Sequence, residues 1–218
     1  MRKWIFALGI IALYNACKFN STTKTLPIYG NRQAVTKIVN GQSVTDTVYQ
    51  TIPPFKLINQ YGDSISDKDL NGKIYVADFF FTSCPSICPG MQRNMLKVYD
   101  AYKNTPDVKI LSYTIDPKYD SVKVLKAYAD KLGVTGNTWW FIQGKKDDTY
   151  RLAEKSYLVA VSRDTTVPGG YVHQGYFVLV DKQKRVRGSY DGTNTEQVSQ
   201  LIDDIKILKA EAPALSGQ

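Results

Sequence analysis

The chain is poor in the residues that build metal and redox sites. It has one histidine, three cysteines and three methionines among 218 residues. One imidazole and two or three thiols fall short of a conventional four-ligand structural zinc site unless a carboxylate or water completes it. Long hydrophobic runs are also scarce. The longest, Trp4 to Leu13, has ten residues and is too short to cross a bilayer as a helix. No block of one charge sign occurs, although Lys and Arg outnumber Asp and Glu by 28 to 20 and the formal charge is +8. The densest basic cluster, Lys182, Lys184, Arg185 and Arg187, includes Val186 and is preceded by Asp181. It reads as a lysine-guarded strand edge, which argues against a nucleic-acid-binding patch. There is no internal repeat and no low-complexity tract. A hydrophobic content of 43% and a charged content of 22% suit one globular domain with a full core and short appendages.

The start of the chain reads as an export signal. Arg2 and Lys3 precede the apolar run, which ends in Leu13-Tyr14-Asn15-Ala16-Cys17. A small residue directly before a cysteine at this distance resembles the bacterial lipoprotein cleavage box, with Tyr14 and Asn15 as departures from it. On this reading residues 1–16 are removed and Cys17 carries the lipid. Residues 17–33 form a polar tether, and the protein is held in the bacterial cell envelope at a membrane surface facing the periplasm. Removal of Arg2 and Lys3 lowers the positive excess by two. In that oxidising compartment Cys84 and Cys88 remain to pair with each other or to share a metal.

Hydrophobic periodicity predicts the elements of one domain over 34–210, followed by a tail at 211–218. Asn40-Gly41 between β-prone runs predicts an N-terminal β-hairpin over 34–52, packed onto or beside the domain. Phe55–Ile58 is a short strand and Ile74–Phe81 a buried central one, with Asp78 its single charged residue. Met91, Met95, Val98 and Tyr102 recur at helical steps, which predicts a helix over 89–103 that opens on Pro89. Strands follow at 108–115 and 138–142. Helices are expected from an Asp120 or Ser121 cap to Lys131, over 147–156 and over 195–208, and a hairpin pairs 176–180 with 186–190. Strands alternating with helices indicate an α/β fold whose central sheet is covered on both faces.

The chemistry-bearing motif is Phe80-Phe81-Thr82-Ser83-Cys84-Pro85-Ser86-Ile87-Cys88-Pro89, between the central strand and the helix after it. Loops at the C-terminal ends of strands are where α/β sheets place their sites. A helix N-terminus favours thiolate over thiol, and the two prolines stiffen the loop. A purely structural disulfide closing so short a loop would stabilise weakly. His173 follows Pro168-Gly169-Gly170-Tyr171-Val172 and opens an apolar strand at the sheet edge. Two thiolates with one imidazole form a soft, low-coordinate set suited to Cu(I). The same dithiol can instead exchange electrons by forming and breaking a disulfide. Arg93, on the helix, keeps a third reading, a thiol peroxidase, in view.

From about residue 55 to 208 the chain resembles the Sco/SenC family, copper-binding thioredoxin-fold proteins used in assembling cytochrome c oxidase. Gly72-Lys73, the cysteine motif, Asp116-Pro117-Lys118-Tyr119-Asp120-Ser121, and His173 ahead of Tyr176-Phe177-Val178-Leu179-Val180-Asp181 carry the likeness. It departs at Tyr119, where the family often has arginine, and at Gln174, where serine is common. The resemblance implies a thioredoxin-like three-layer sandwich with a central mixed sheet. It implies Cys84, Cys88 and His173 as ligands of copper, as Cu(I) and in a second state Cu(II). A monomeric copper chaperone follows, which delivers the ion to the dinuclear centre of the copper-bearing oxidase subunit or to another periplasmic copper protein. The alternative is a thiol–disulfide oxidoreductase that uses Cys84 and Cys88 to reduce the target's cysteines. Asp116, at a strand end before a proline, is placed to orient His173 or tune the thiols, or else to serve as a turn residue. Asp78 reads as a buried, hydrogen-bonded carboxylate. Met91, Met95, Trp139 and Trp140 read as packing.

Overall fold

A computed structural model describes residues 24–211; the export segment, Cys17 and all of the expected tail except Glu211 lie outside the described residues. Eleven strands and four α-helices are formed among them. The strands are β1 (Arg32–Val39), β2 (Gln42–Tyr49), β3 (Lys56–Asn59), β4 (Ser64–Ser66), β5 (Ile74–Phe80), β6 (Val108–Thr114), β7 (Trp139–Gln143), β8 (Val161–Arg163), β9 (Tyr171–His173), β10 (Tyr176–Val180) and β11 (Val186–Asp191). The helices are α1 (Cys88–Tyr102), α2 (Val122–Lys131), α3 (Lys146–Leu152) and α4 (Thr195–Ala210).

The main sheet has seven strands in the order β11-β10-β5-β6-β7-β3-β4. β5, β6 and β7 run parallel, while β10 and β3 are antiparallel to their neighbours, so the sheet is mixed. Every residue of β5 is buried, as its unbroken apolar run requires of a central strand. Asp78 is tolerated there because Ser112 Oγ and Gln92 Nε2 (3.1 Å) both donate to it. Trp139 Nε1 in turn donates to Ser112 Oγ at 2.9 Å, which extends this polar thread across the sheet. On one face Phe79 stacks on Tyr113, whose hydroxyl meets that of Tyr157 at 2.9 Å. On the other, Phe80, Tyr128, Phe141 and Trp139 interlock edge to face and in stacks.

Several boundaries differ from the sequence expectation. The third helix ends sooner, because Ala153–Tyr157 widens into a π turn closed by Leu158 in the left-handed region (φ 61°). The cap of α2 is Ser121, whose Oγ accepts from Val124 N, while Asp120 turns inward. Strands β4, β8 and β9, three residues each, are too short to show a period.

The segment expected to be a tether up to residue 33 is docked from Leu26 onward. Leu26 is buried, and the buried Arg187 guanidinium donates to the carbonyls of Leu26 (2.6 Å) and Pro27 (2.9 Å) and pairs with Glu211 and Asp181. Tyr29 then bridges to Val186. The hairpin, by contrast, does not pack onto the domain. β1 and β2 are exposed along almost their whole length and, among the described residues, pair only with each other, over eight unbroken rungs. Among the described residues no helix is long and apolar enough to cross a membrane.

Candidate metal centre

The loop from β5 to α1 carries both thiols. Cys84 sits in a tight turn, its amide donating to the Phe81 carbonyl at 3.2 Å, and Cys88 is the first residue of α1. Pro89, as expected, occupies the first turn of that helix, where its missing N–H leaves no bond unmade. The loop is pinned from below by Asp120. Its carboxylate accepts from Thr82 N at 3.1 Å and from the hydroxyls of Thr82 and Thr114. Burial raises the Asp120 pKa, and these three donors oppose the rise. Sequence reading missed this role. The visible signal was a threonine two residues before Cys84 and a second aspartate four residues after Asp116.

His173 arrives from a separate arm. It ends β9, which pairs with β8 as a two-stranded sheet of its own, so the ring is not at the edge of the main sheet as expected. Two contacts close the base of this arm: Gln174 N donates to the Ala160 carbonyl at 3.1 Å, and Ala160 N to Gln174 Oε1 at 2.9 Å. The departure from serine at 174 therefore supplies an acceptor that holds the arm shut. The tip of the arm lies on the cysteine loop. Gly169, at φ +88°, has no room for a side chain, since a Cβ there would come within 2.9 Å of the Phe81 ring and 3.0 Å of Pro85. Phe81 meets the His173 ring edge to face at 5.9 Å and Tyr171 at 5.2 Å.

These elements bring the three side chains together. The sulfurs of Cys84 and Cys88 and a nitrogen of His173 all lie within 4.8 Å of one another, and all three residues are buried. His173 Nε2 is 3.2 Å from Cys88 Sγ. The dithiol is open, with both cysteines free. The two thiols are unequal. Hydrogen bonding from Cys88, then from His173 and the amides of Ser86 and Cys88, draws Cys84 down to about 3 against the opposing effect of burial. The same thiol–thiolate bond, and burial after it, push Cys88 up. The pair therefore takes on its first negative charge readily and its second reluctantly, because two adjacent thiolates in a buried site repel. A monovalent cation between the sulfurs removes that repulsion. His173 Nδ1 and Gln92 Oε1 are the two buried side-chain atoms without a partner among the described residues.

The other candidates lie elsewhere. Asp116 makes no hydrogen bond to either sulfur or to the imidazole. Its amide donates to Thr114 Oγ1, its carbonyl accepts from Tyr119 N and Asp120 N, and it helps raise the Tyr171 phenol, second to burial. It is a turn residue, and its side chain meets Tyr171, two residues from His173. Arg93 is exposed and bonds to neither sulfur. Met91 and Met95 are core. Asp78 is fully buried, and burial carries its pKa to about 6.

The thioredoxin-like fold has known counterparts. The family model described as SCO1/SenC matches residues 43–209. The chain belongs to the SCO1/SenC family. Among SCO1/SenC relatives, the SCO1 protein homolog of Bacillus subtilis is 32% identical over 171 residues, spanning 76% of this chain and 86% of that protein. A crystal structure of a SCO1/SenC family lipoprotein from Bacillus anthracis superposes with a TM-score of 0.67 at 30% identity, covering 73% of this chain and 95% of that one. Yeast Sco1 with copper bound superposes at 0.57 with 26% identity, covering 76% and 92%. BsSco, a member of the Sco family of cytochrome c oxidase assembly proteins in which a disulfide switch has been identified, superposes at 0.64 with 30% identity, covering 74% and 95%. The SCO1/SenC match begins inside β2, so β1 lies outside it.

Proposed function

We propose that this SCO1/SenC protein binds copper as cargo and delivers it during assembly of cytochrome c oxidase. Cys84, Cys88 and His173 would hold the ion. The convergence of two sulfurs and one imidazole nitrogen within 4.8 Å carries this reading. The set is soft and three-membered, which fits Cu(I) and leaves room for an incoming ligand. The proton that Cys88 retains is the one a cuprous ion displaces, so loading neutralises the charge that the buried pair resists. Copper-bound yeast Sco1 and the oxidase-assembly role stated for BsSco support the assignment.

The test is titration of the reduced protein with Cu(I) against a competing chelator, for the wild type and for Cys84→Ser, Cys88→Ser and His173→Ala. Each substitution should weaken binding. Equal affinity in all four proteins would refute the assignment.

A second reading rests on the unequal thiols. A thiolate at Cys84 beside a protonated Cys88 is also the arrangement of a dithiol reductant. Cys84 would attack a target disulfide, and Cys88 would then release the target as the Cys84–Cys88 disulfide forms, two electrons passing to the target. His173→Ala separates the two readings, since it should cripple copper retention and leave disulfide reduction largely intact.

A further inference from the structure

Among the described residues the β1–β2 hairpin has nothing packed along either face. A lone two-stranded hairpin is marginal in water, yet this one runs eight rungs without a bulge or a proline. Its base is fixed by Tyr29 on Val186, by Gln50 N on the Asn31 carbonyl (2.8 Å), and by Ile52 N on the Lys184 carbonyl (2.8 Å). The rest projects from the body.

The register sorts the side chains onto two faces. One carries Arg32, Ala34, Thr36 and Ile38 against Tyr49, Thr47, Thr45 and Ser43. The other carries the rungs Gln33–Val48, Val35–Asp46, Lys37–Val44 and Val39–Gln42. Valine alternates with a polar residue along both strands and across every rung, so this second face is a chequerboard. Val39, Val44 and Val48 are 42%, 46% and 48% exposed. Lys37 and Asp46 occupy its centre, with Nζ and carboxylate 3.9 Å apart.

We propose that this valine face is a self-association surface, on which two copies of the chain stack hairpin on hairpin, antiparallel, about a twofold axis. The occupant follows from the pattern. Turning the face over about an in-plane axis across the strands lays Lys37 of one copy over Val35 of the other, beside that copy's Asp46. The reciprocal pair forms at the same time, as an isologous contact requires. Each Val35 then sits among Val35, Val39 and Val44 of the facing hairpin. The face is thus complementary to itself in charge as well as in relief. The antiparallel arrangement sends the two bodies to opposite ends of the stacked hairpins. A lipid surface fits less well, since a cation and an anion lie at the centre of the patch that would enter it. Eight side chains per copy bury roughly 300–400 Å², below the standard ~800 Å² per partner, so the dimer is weak and reversible. This inference is independent of the copper assignment.

Sedimentation equilibrium on the full chain tests it. The wild type should associate as concentration rises from about 10 µM to about 1 mM. Lys37→Asp alone and Asp46→Lys alone should each weaken association roughly tenfold or more, because like charges then face each other. An equimolar mixture of the two variants should associate again. The mixture discriminates, since within each variant the internal ion pair stays broken and only the contact between copies is restored. A monomer at every concentration, association unchanged by either substitution, or a mixture that fails to recover would each overturn the proposal. Binding to phosphatidylglycerol vesicles that is abolished by Val44→Asp would overturn it in favour of a lipid occupant.

Discussion

His173 Nε2 lies 3.2 Å from Cys88 Sγ, although 85 residues separate the two in sequence. The contact exists because two independent supports meet: the Asp120-pinned loop after β5, and the β8–β9 arm closed by Gln174. Neither Asp120 nor Gln174 hydrogen-bonds to a sulfur or to the imidazole, so each can be perturbed without removing a donor atom.

The inequality of the thiols predicts a thiolate at acid pH. Cys84, held down by its bond from Cys88, should still absorb as a thiolate near 240 nm well below the usual thiol range. Cys84→Ser should abolish that absorbance down to pH 5, while Cys88→Ser should move its midpoint upward. An acid-range absorbance that persists in Cys84→Ser would contradict the assignment.

Asp120 should be sensitive to truncation. Asp120→Ala leaves the Thr82 amide and two threonine hydroxyls without their acceptor beneath the cysteine loop. A loss of about 2–4 kcal/mol is expected from urea unfolding. Cu(I) affinity should fall less than in His173→Ala, because the donors remain.

Asp78 gives a pH dependence of definite sign. Its folded pKa, raised to about 6 by burial, lies above its unfolded value. Between about pH 4 and 6 the unfolded chain releases this proton while the folded protein keeps it, so stability falls as pH rises through that window. The loss should be on the order of 2–3 kcal/mol by neutrality. Asp78→Asn should flatten this part of the stability profile, as read from unfolding midpoints at pH 4 and pH 7. A profile as steep as that of the wild type would rule out Asp78 as the source.

Asp67 gives the opposite sign. Its pKa is lowered, chiefly by the hydrogen bond from Lys184 at 2.6 Å. That pair joins the chain after β4 to the β10–β11 turn and contributes stability above the unfolded carboxyl pKa. The contribution is lost as pH falls through the lower folded value. Asp67→Asn should cost about 0.5–1 kcal/mol at pH 7, given the partial exposure of both groups, and nothing measurable at pH 2.

Much of this architecture was legible because its signals are local and periodic. β5 announced itself by an unbroken apolar run. α1 did so by Met91, Met95, Val98 and Tyr102 at helical steps, and the first hairpin by Asn40-Gly41. The cysteine motif pointed to the end of a strand and the start of a helix, where it lies. What escaped was decided by tertiary contacts. β8 and β9 have three residues each and exist because their arm rests on Phe81 and Pro85. Docking of the residues around Leu26 depends on Arg187, about 160 positions away, whose place in a basic cluster suggested a solvated edge. The sequence around Asp120 offers a helix cap there, because nothing in its immediate neighbours shows that Thr82 approaches from the loop after β5.

The grip of Arg187 on the carbonyls of Leu26 and Pro27 also fixes a direction. β11 pairs Asp191 with Tyr176 near the dithiol end of the sheet and brings Val186, beside Arg187, to the other end, level with Val180 and Tyr75. The Leu26–Pro27 backbone is thus clasped at the heel of the molecule, while the sulfurs and imidazole stand at its toe. A pull applied at Leu26 would therefore enter the fold at the end of the sheet farthest from the donor atoms.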